Sequence, residues 1–535
     1  MPAKTLSCTA IQAAWLTSCL PEALRFFRAA RQPLARTQAN TLANILRKSE
    51  NSIFGQKHGF SGINSSKAFQ NHIPISSYED FKCYIDLIAE GKKAVLSEEQ
   101  VLMFELTSGS TSATKMIPYT AELQKSFNRA IHPWLLDLYL NFKGLWGGPA
   151  YWVVTPKFNS GQTTSGGIKI GFAADSEYFG NIGRHLVNLL MAVPDEVGQI
   201  KDLAAWKRAT LIYLLRCEEL RLISLWNPSF IYSLLQNIES MAPELEKELA
   251  NTAGSKRARC FARAVAKLQP NDFSGFIRLM WPRLCLISAW TEAEAEGPAK
   301  RLQHDFSSSF LQTKGILATE APVTIPIHGA PAPVLAVRSA FFEFLENESG
   351  SIKLAHQLQE EKVYSLIVTT AGGLFRYKLN DLVRVKGFWH QLPCLEFIGK
   401  EAMVSDLCGE KINSGHLKQI FDNLLSKDTP AFVAPEKGTT PGYMLFLSQE
   451  DFAPELAGKF DAELRKNFHY NWCIEVGQLR PLEIMSLPIS RQALQQFRLQ
   501  RLAQEGIQFS TAKTGPLSIR PGWKDWFNAL LDRDH

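Results

Sequence analysis

Nine cysteines are scattered through 535 residues, and no two of them form a C-x-x-C pair. Structural zinc sites and secreted disulfide frameworks both need close, paired spacing, so reduced thiols are the expectation. No apolar run approaches the ~18 residues of a membrane-spanning helix. Charge of one sign is also scarce, with 58 basic side chains against 52 acidic ones and a formal charge of +6. Spread over this length, the surplus permits an anionic ligand but gives no sign of a nucleic-acid partner. Internal repeats and low-complexity tracts are missing, which argues against solenoids and disordered tails. Two phosphate-binding fingerprints, G-x-x-x-x-G-K-[ST] and G-x-G-x-x-G, are absent too, so P-loop and Rossmann readings fail.

What remains is an ordinary globular composition, 45% hydrophobic and 11% aromatic. A chain this long can bury several cores without a covalent or metal staple. Residues 8–50 carry apolar positions at helical spacing, with a break near Pro33. Leu16-Thr17-Ser18-Cys19 faintly resembles a lipoprotein cleavage box, but the poor apolar stretch before it favours an ordinary amphipathic helix and a cytoplasmic protein. A helix is predicted over 202–221, followed by a buried strand at Leu222–Trp226 and a new helix opening at Asn227-Pro228-Ser229. Leu284–Trp290 and Gly315–Ala318 read as further short apolar strands, and such alternation predicts an α/β fold. Beyond Gly329 a series of strand-like runs between Gly, Pro and Asn turns predicts a β-rich subdomain. A boundary is placed at Gly399-Lys400, giving a large domain over 1–399 and a small α+β domain over 400–535.

Three segments could do chemistry. Thr107-Ser108-Gly109-Ser110-Thr111-Ser112-Ala113-Thr114-Lys115 packs small hydroxyl residues after a predicted strand and ahead of a Lys. Such a loop can fold around an anion and donate N–H and O–H groups to phosphate oxygens, though composition alone fits a solvated turn equally well. Gly315–Glu320 ends an apolar run in an acid, suited to a hard cation on a phosphate. Taken alone, its plainer reading is a strand-terminal carboxylate facing water. Gly373–Asp381 places a carboxylate after a tight turn, where it could accept two ribose hydroxyls or simply serve the turn.

Their order in the chain changes the reading. Thr107–Lys115 resembles the phosphate loop of the adenylate-forming superfamily of acyl-CoA synthetases and luciferases. Asn71-His72-Ile73-Pro74-Ile75-Ser76-Ser77-Tyr78-Glu79-Asp80 resembles the approach to that loop in the auxin-responsive acyl acid–amido synthetase family. So does Val368-Thr369-Thr370-Ala371-Gly372-Gly373-Leu374-Phe375-Arg376-Tyr377-Lys378-Leu379-Asn380-Asp381. The resemblance runs from about residue 40 to about 520, and the chain is identified on it as a member of that family, of bacterial or otherwise non-plant character.

The resemblance implies a large adenylate-forming domain and a small mobile C-terminal domain. It implies ATP and Mg2+, a small carboxylic acid activated to its adenylate, and acyl transfer to an amine, typically an amino acid. By position, Ser108, Gly109, Ser110 and Thr111 would cradle phosphates. Thr319 and Glu320 would lie near the α-phosphate, with Glu320 on the metal. Asp381 would bind ribose, Lys400 would stand at the hinge, and Lys513 would reach the nucleotide from the small domain.

Some positions depart from the family. Asn380 replaces a Gly, a substitution that still tolerates positive φ. Ile316 and Leu317 stand where plant members carry an aromatic residue, and Thr514-Gly515-Pro516 follows Lys513 in place of Pro-Arg. Two alternatives stay open: coenzyme A or another thiol as acceptor, or a non-catalytic nucleotide-binding relative. His328 reads as a packed or solvated residue, Trp226 and Tyr151-Trp152 as core aromatics, and the basic residues of 256–267 as a solvated helix face. Oligomeric state, the acid and the amine are not legible.

Overall fold

The computed structural model describes the chain except for residues 1, 108–114, 154–161, 172–179, 236–237, 270–271, 348, 401–403, 427–428, 505–515 and 532–535. Two compact units result. One takes the residues up to Gly399 apart from 108–115, and the other takes Lys400 onward.

The large unit opens with the helices Pro2–Ala29 and Leu34–Arg47, separated where Pro33 removes a backbone donor. Cys19 is fully buried in the first helix, as the amphipathic reading requires, and none of the nine cysteines forms a disulfide. Among the described residues, three sheets follow. The smallest orders β2 (Lys115–Thr120), β1 (Val101–Thr107) and β4 (Lys169–Ile170) side by side. A parallel sheet orders β3 (Ala150–Trp152), β5 (Leu222–Ser224), β6 (Leu286–Ala289) and β7 (Phe310–Thr313). Its crossovers are helical and include Leu203–Arg216 and Ser255–Val265, the arrangement that parallel strands require.

The third sheet has seven strands in the order β11 (Ile352–Leu354), β10 (Phe341–Glu346), β12 (Val363–Thr369), β13 (Tyr377–Trp389), β14 (Leu392–Lys400), β9 (Val334–Leu335), β8 (Thr324–Ile325). This is the β-rich region expected beyond Gly329. The pairs β10–β11, β10–β12 and β12–β13 are antiparallel.

Two sequence readings are corrected here. Gly315–Ala318 is not a strand, because the strand ends at Thr313 and the chain then turns back on itself. The basic stretch at 256–267 is not wholly solvated. Arg257 is 6% exposed, and its guanidinium donates to the Leu215 and Met280 carbonyls, which stitches three helical segments together.

The small unit has its own core. β17 (Phe432–Glu436), β18 (Gly442–Ser448) and β19 (Glu483–Leu487) pair antiparallel and then parallel, while β15 (Val404–Ser405) and β16 (Ile412–Asn413) form a ribbon. Leu417, Ile420, Leu445 and Phe460 are among the residues that fill the space between strands and helices. Glu410 is fully buried and accepts from the Leu407 and Cys408 amides at 2.7 Å each and from the Tyr443 hydroxyl. Burial and nearby Asp406 push its carboxyl up to about 7.

Candidate active site

The segment between β12 and β13 is held by its backbone. Gly373 adopts φ +97°, and a Cβ there would lie 2.5 Å from the Leu96 side chain, so only glycine closes this turn. The Gly373 amide donates to the Thr370 carbonyl at 3.1 Å, and the Arg376 amide donates to Thr369 Oγ1 at 2.9 Å. Arg376 is 3% exposed. It donates from Nε and Nη2 to both oxygens of buried Glu343 at 3.0 Å, and from Nη1 to the carbonyls of Gln70 and Ile73.

The Ile73 carbonyl belongs to the approach segment picked out in the sequence, and Gln70 directly precedes that segment. Ser76 then straps it to the start of β13. The Ser76 amide donates to the Arg376 carbonyl at 3.0 Å, and the Lys378 amide donates back to the Ser76 carbonyl at 2.9 Å. Two signatures 300 residues apart are therefore one piece of structure. Asp80 accepts from the Ser77 amide at 2.7 Å and from its hydroxyl at 2.8 Å, opening the helix Tyr78–Ala89. The hydroxyl of Tyr78, the first residue of that helix, accepts from the Met116 amide at 2.9 Å in β2.

Within β13 the pairing to β12 slips. Ser365 faces Leu382 and Ile367 faces Lys378, so β13 carries two surplus residues in a bulge. Asn380 sits in it at φ +60°, the left-handed turn that the Gly-to-Asn departure was expected to preserve. The bulge sets Asp381, 5% exposed, at the site.

Glu320 arrives on a different device. Gly315 lies so close to β8 that a Cβ would meet the Thr324 carbonyl at 2.2 Å, and Thr324 Oγ1 accepts from the Ile316 amide at 2.8 Å. Leu317 bridges Pro322, and the Ala318 amide donates to the Ala321 carbonyl at 3.1 Å. Thr319 and Glu320 are the two residues at the tip of that turn. Glu320 is 8% exposed and accepts a hydrogen bond from the Tyr377 hydroxyl. Burial first, then the charges of Glu320, Tyr78 and Asp381, drive the Tyr377 hydroxyl far above its usual range, so it remains a neutral donor.

The structure thus sets Glu320 and Asp381 near Tyr377, with Thr319 next to Glu320 in the turn. Ser108, Gly109, Ser110, Thr111 and Lys513 lie outside the described residues, as does the Lys400 side chain, although the Lys400 backbone closes β14. The strands that flank the Ser/Thr-rich loop, β1 and β2, are neighbours in one sheet. Tyr377 and Arg376 had no assigned role in the sequence reading. Both lay inside the quoted motif, but a buried hydroxyl donor and a buried guanidinium look like ordinary β-strand residues until their partners are known.

A second polar group lies at the C-terminal edge of the parallel sheet, the place where open α/β sheets take ligands. Lys314, 6% exposed, donates to Ser224 Oγ at 2.8 Å and stands 4.4 Å from the Trp226 ring centroid. Trp290 packs on Trp226 with centroids 5.5 Å apart. Trp226 is 40% exposed, not a core residue as expected, whereas Tyr151 is fully buried. Glu292 accepts from the Phe397 amide at 3.0 Å, and burial, then Glu396, pushes its carboxyl up to about 7. The His328 amide donates to Asp137 Oδ2 at 2.8 Å, and its exposed ring meets Phe142 edge-on, in keeping with the packed-or-solvated reading.

Residues 23–309 match the GH3 family N-terminal domain and residues 333–400 its central domain. The jasmonoyl–L-amino acid synthetase JAR4 of Nicotiana attenuata is 24% identical over 414 residues, covering 70% of this chain and 71% of that protein. A probable indole-3-acetic acid-amido synthetase of Oryza sativa subsp. japonica is 24% identical over 463 residues, covering 75% and 74%. Among solved structures, the AtGH3.15 acyl acid amido synthetase in complex with 2,4-DB superposes with a TM-score of 0.65 over 96% of each chain, at 16% identity. No helix among the described residues is long and apolar enough to cross a membrane.

Proposed function

The chain belongs to the GH3 family, and from that premise we propose that it is a ligase that adenylates a carboxylic acid with ATP and passes the acyl group to an amine, in the manner of an amino acid conjugate synthetase. The observation that carries this reading is the meeting of Glu320 and Asp381 around the Tyr377 hydroxyl, beside strands that lead into and out of a Ser/Thr-rich loop.

A free carboxylate is a poor acyl donor because its leaving group would be oxide. Attack of the acid oxygen on the α-phosphorus of ATP breaks the bond to pyrophosphate and leaves a mixed anhydride. Attack of the amine nitrogen on its carbonyl carbon then expels AMP, with loss of a proton from nitrogen. The barrier of the first half is the approach of an anion to a polyanion. Preorganised donors lower it, and removing one such donor typically costs about 2.7–4 kcal/mol of activation free energy.

Ser108, Gly109, Ser110 and Thr111 supply donors to the phosphates, and Thr319 supplies one near the α-phosphate. Asp381 accepts the ribose hydroxyls and so fixes the nucleotide. Lys400 and Lys513 add positive charge as the small domain moves between the two half-reactions.

Glu320 fits Mg2+. It is a buried carboxylate whose described contact is a neutral phenol rather than a cation, and it shares its surroundings with a second carboxylate, the oxygen-donor environment of a hard cation. When bound, Mg2+ would neutralise phosphate charge. Lys314 stands ready as a cation for the acid end of the substrate, with Trp226 and Trp290 as an aromatic wall. The cytoplasm, where ATP is abundant and the nine thiols stay reduced, is the compartment this reading requires.

Pyrophosphate release across a panel of carboxylic acids, with hydroxylamine as surrogate amine, tests the proposal. Acid-dependent release with hydroxamate formation supports it. ATP binding without release for any acid would instead indicate a nucleotide-binding relative that has lost the reaction. Release with coenzyme A as the sole productive acceptor would indicate a thioester-forming ligase.

A further inference from the structure

The large unit contains a cavity of about 540 Å3 that the adenylation reading does not use. It opens among the end of the helix Pro2–Ala29, the helix Leu34–Arg47 and the first turns of the helix Ala121–Asn141. Six cations line it, Arg25, Arg28, Lys48, Lys125, Arg129 and Arg338, against the single carboxylate of Glu122. Thr319, Glu320 and Asp381 are not in the lining.

Structural pairing does not account for that many positive charges. Glu122, 5% exposed, is shared by Lys48, Arg129 and, at 3.4 Å, Lys125. Burial works to raise its carboxyl, yet hydrogen bonds from Lys48 and Arg129 hold it below the usual range. Arg25 and Arg338 both use Glu22, and Glu99 reaches Lys48 at 3.5 Å. Arg28 makes no ion pair among the described residues. Three carboxylates therefore answer six cations that share one concave wall. Like charges gathered in this way repel one another, and a bound anion relieves the repulsion.

The lining also narrows the kind of anion. Four of the six cations are Arg, whose planar fork matches phosphate oxygens two at a time. Asn40, Asn44 and Thr41 add hydrogen-bonding groups from one helix face. Ala29, Ile45 and Ala371 are the apolar residues of the lining, so its remaining side chains are charged or hydrogen-bonding. The volume lies within the ~300–1,000 Å3 of small-molecule sites. We propose that this cavity binds a small polyphosphorylated molecule, one carrying two or more phosphoryl groups, at a site separate from the adenylation centre.

The test is calorimetric titration of the full chain with inorganic tripolyphosphate in metal-free buffer. The parent is compared with Arg28→Glu on one wall and Asn44→Asp on another, both at exposed helix positions. The expected result is an affinity at least tenfold weaker in each variant, with ATP-dependent pyrophosphate release in the absence of tripolyphosphate unchanged. Binding that persists equally in both variants would place the anion elsewhere, the Thr107–Lys115 loop included, and would overturn the proposal. Equal binding of sulfate at matched ionic strength would overturn it as well, because it would show a general charge effect. Neither result depends on which acid is adenylated.

Discussion

The hydroxyl of Tyr377 donates to the carboxylate of Glu320, joining the first residue of a long antiparallel strand to the tip of a turn 57 positions earlier. Both residues are buried, at 1% and 8% exposure. Tyr377→Phe removes the donor while keeping the ring, so the fold should survive. A hydrogen bond to a charged group contributes about 1.5–3 kcal/mol. A fall of roughly ten- to a hundredfold in kcat/KM for pyrophosphate release is therefore expected, together with a changed dependence on Mg2+ concentration. Steady-state kinetics across a Mg2+ series checks this, and an unchanged profile would remove Tyr377 from the site.

Arg376 and Glu343 form a buried bidentate pair that also anchors the Gln70 and Ile73 carbonyls. Arg376→Met leaves Glu343 buried without its cation, which typically costs about 3–5 kcal/mol. Urea unfolding should show that loss. The double variant Arg376→Met with Glu343→Met should regain part of it, because no unpaired charge then remains. A single variant as stable as the parent would contradict the pairing.

Asn380 holds a left-handed conformation inside the β13 bulge. Asn380→Gly should be tolerated, whereas a β-branched residue is strained there by about 1–2 kcal/mol. Asn380→Val is thus expected to weaken ATP binding by displacing Asp381, its neighbour. Equilibrium nucleotide binding distinguishes the two variants, and equal affinities would mean that the bulge does not position Asp381.

Glu292 titrates near 7, raised above its unfolded value near 4.5 by burial. The folded state therefore binds the proton more tightly, and stability falls as pH rises through that window. Glu292→Gln keeps an acceptor for the Phe397 amide and removes the charge. It should stabilise the protein at pH 8 by up to about 3 kcal/mol and leave it nearly unchanged at pH 4. Urea midpoints at the two pH values measure the difference, and parallel shifts at both would show that burial does not control this carboxyl.

Much of the fold could be read from the sequence because local signals agreed with one another. The break at Pro33, the helix after Asp202, the short buried strands at Leu222 and Leu286, and the β-rich series beyond Gly329 all rest on periodicity and turn residues. Gly315–Ala318 was misread because an apolar run of four fits a strand or a turn buried against one equally well. Arg257 was misread because basic residues at helical spacing look solvated unless the carbonyls they meet are known.

The candidate site divides along the same line. The sequence by itself nominated the Ser/Thr-rich loop, Glu320 and Asp381 as candidates for phosphate, metal and ribose, and their order and family resemblance, not residue type alone, favoured that chemistry over plain turns. Only the tertiary structure decided how they are held. The Ser76 strap, the Arg376–Glu343 brace, the two-residue bulge and the Tyr377 hydroxyl each depend on partners tens to hundreds of positions away. The basic cavity is of the same kind, because its six cations come from separate stretches of the chain and become one wall only when the helices pack. Pairings at such separation leave no periodic trace, so they come into being only with the packed core.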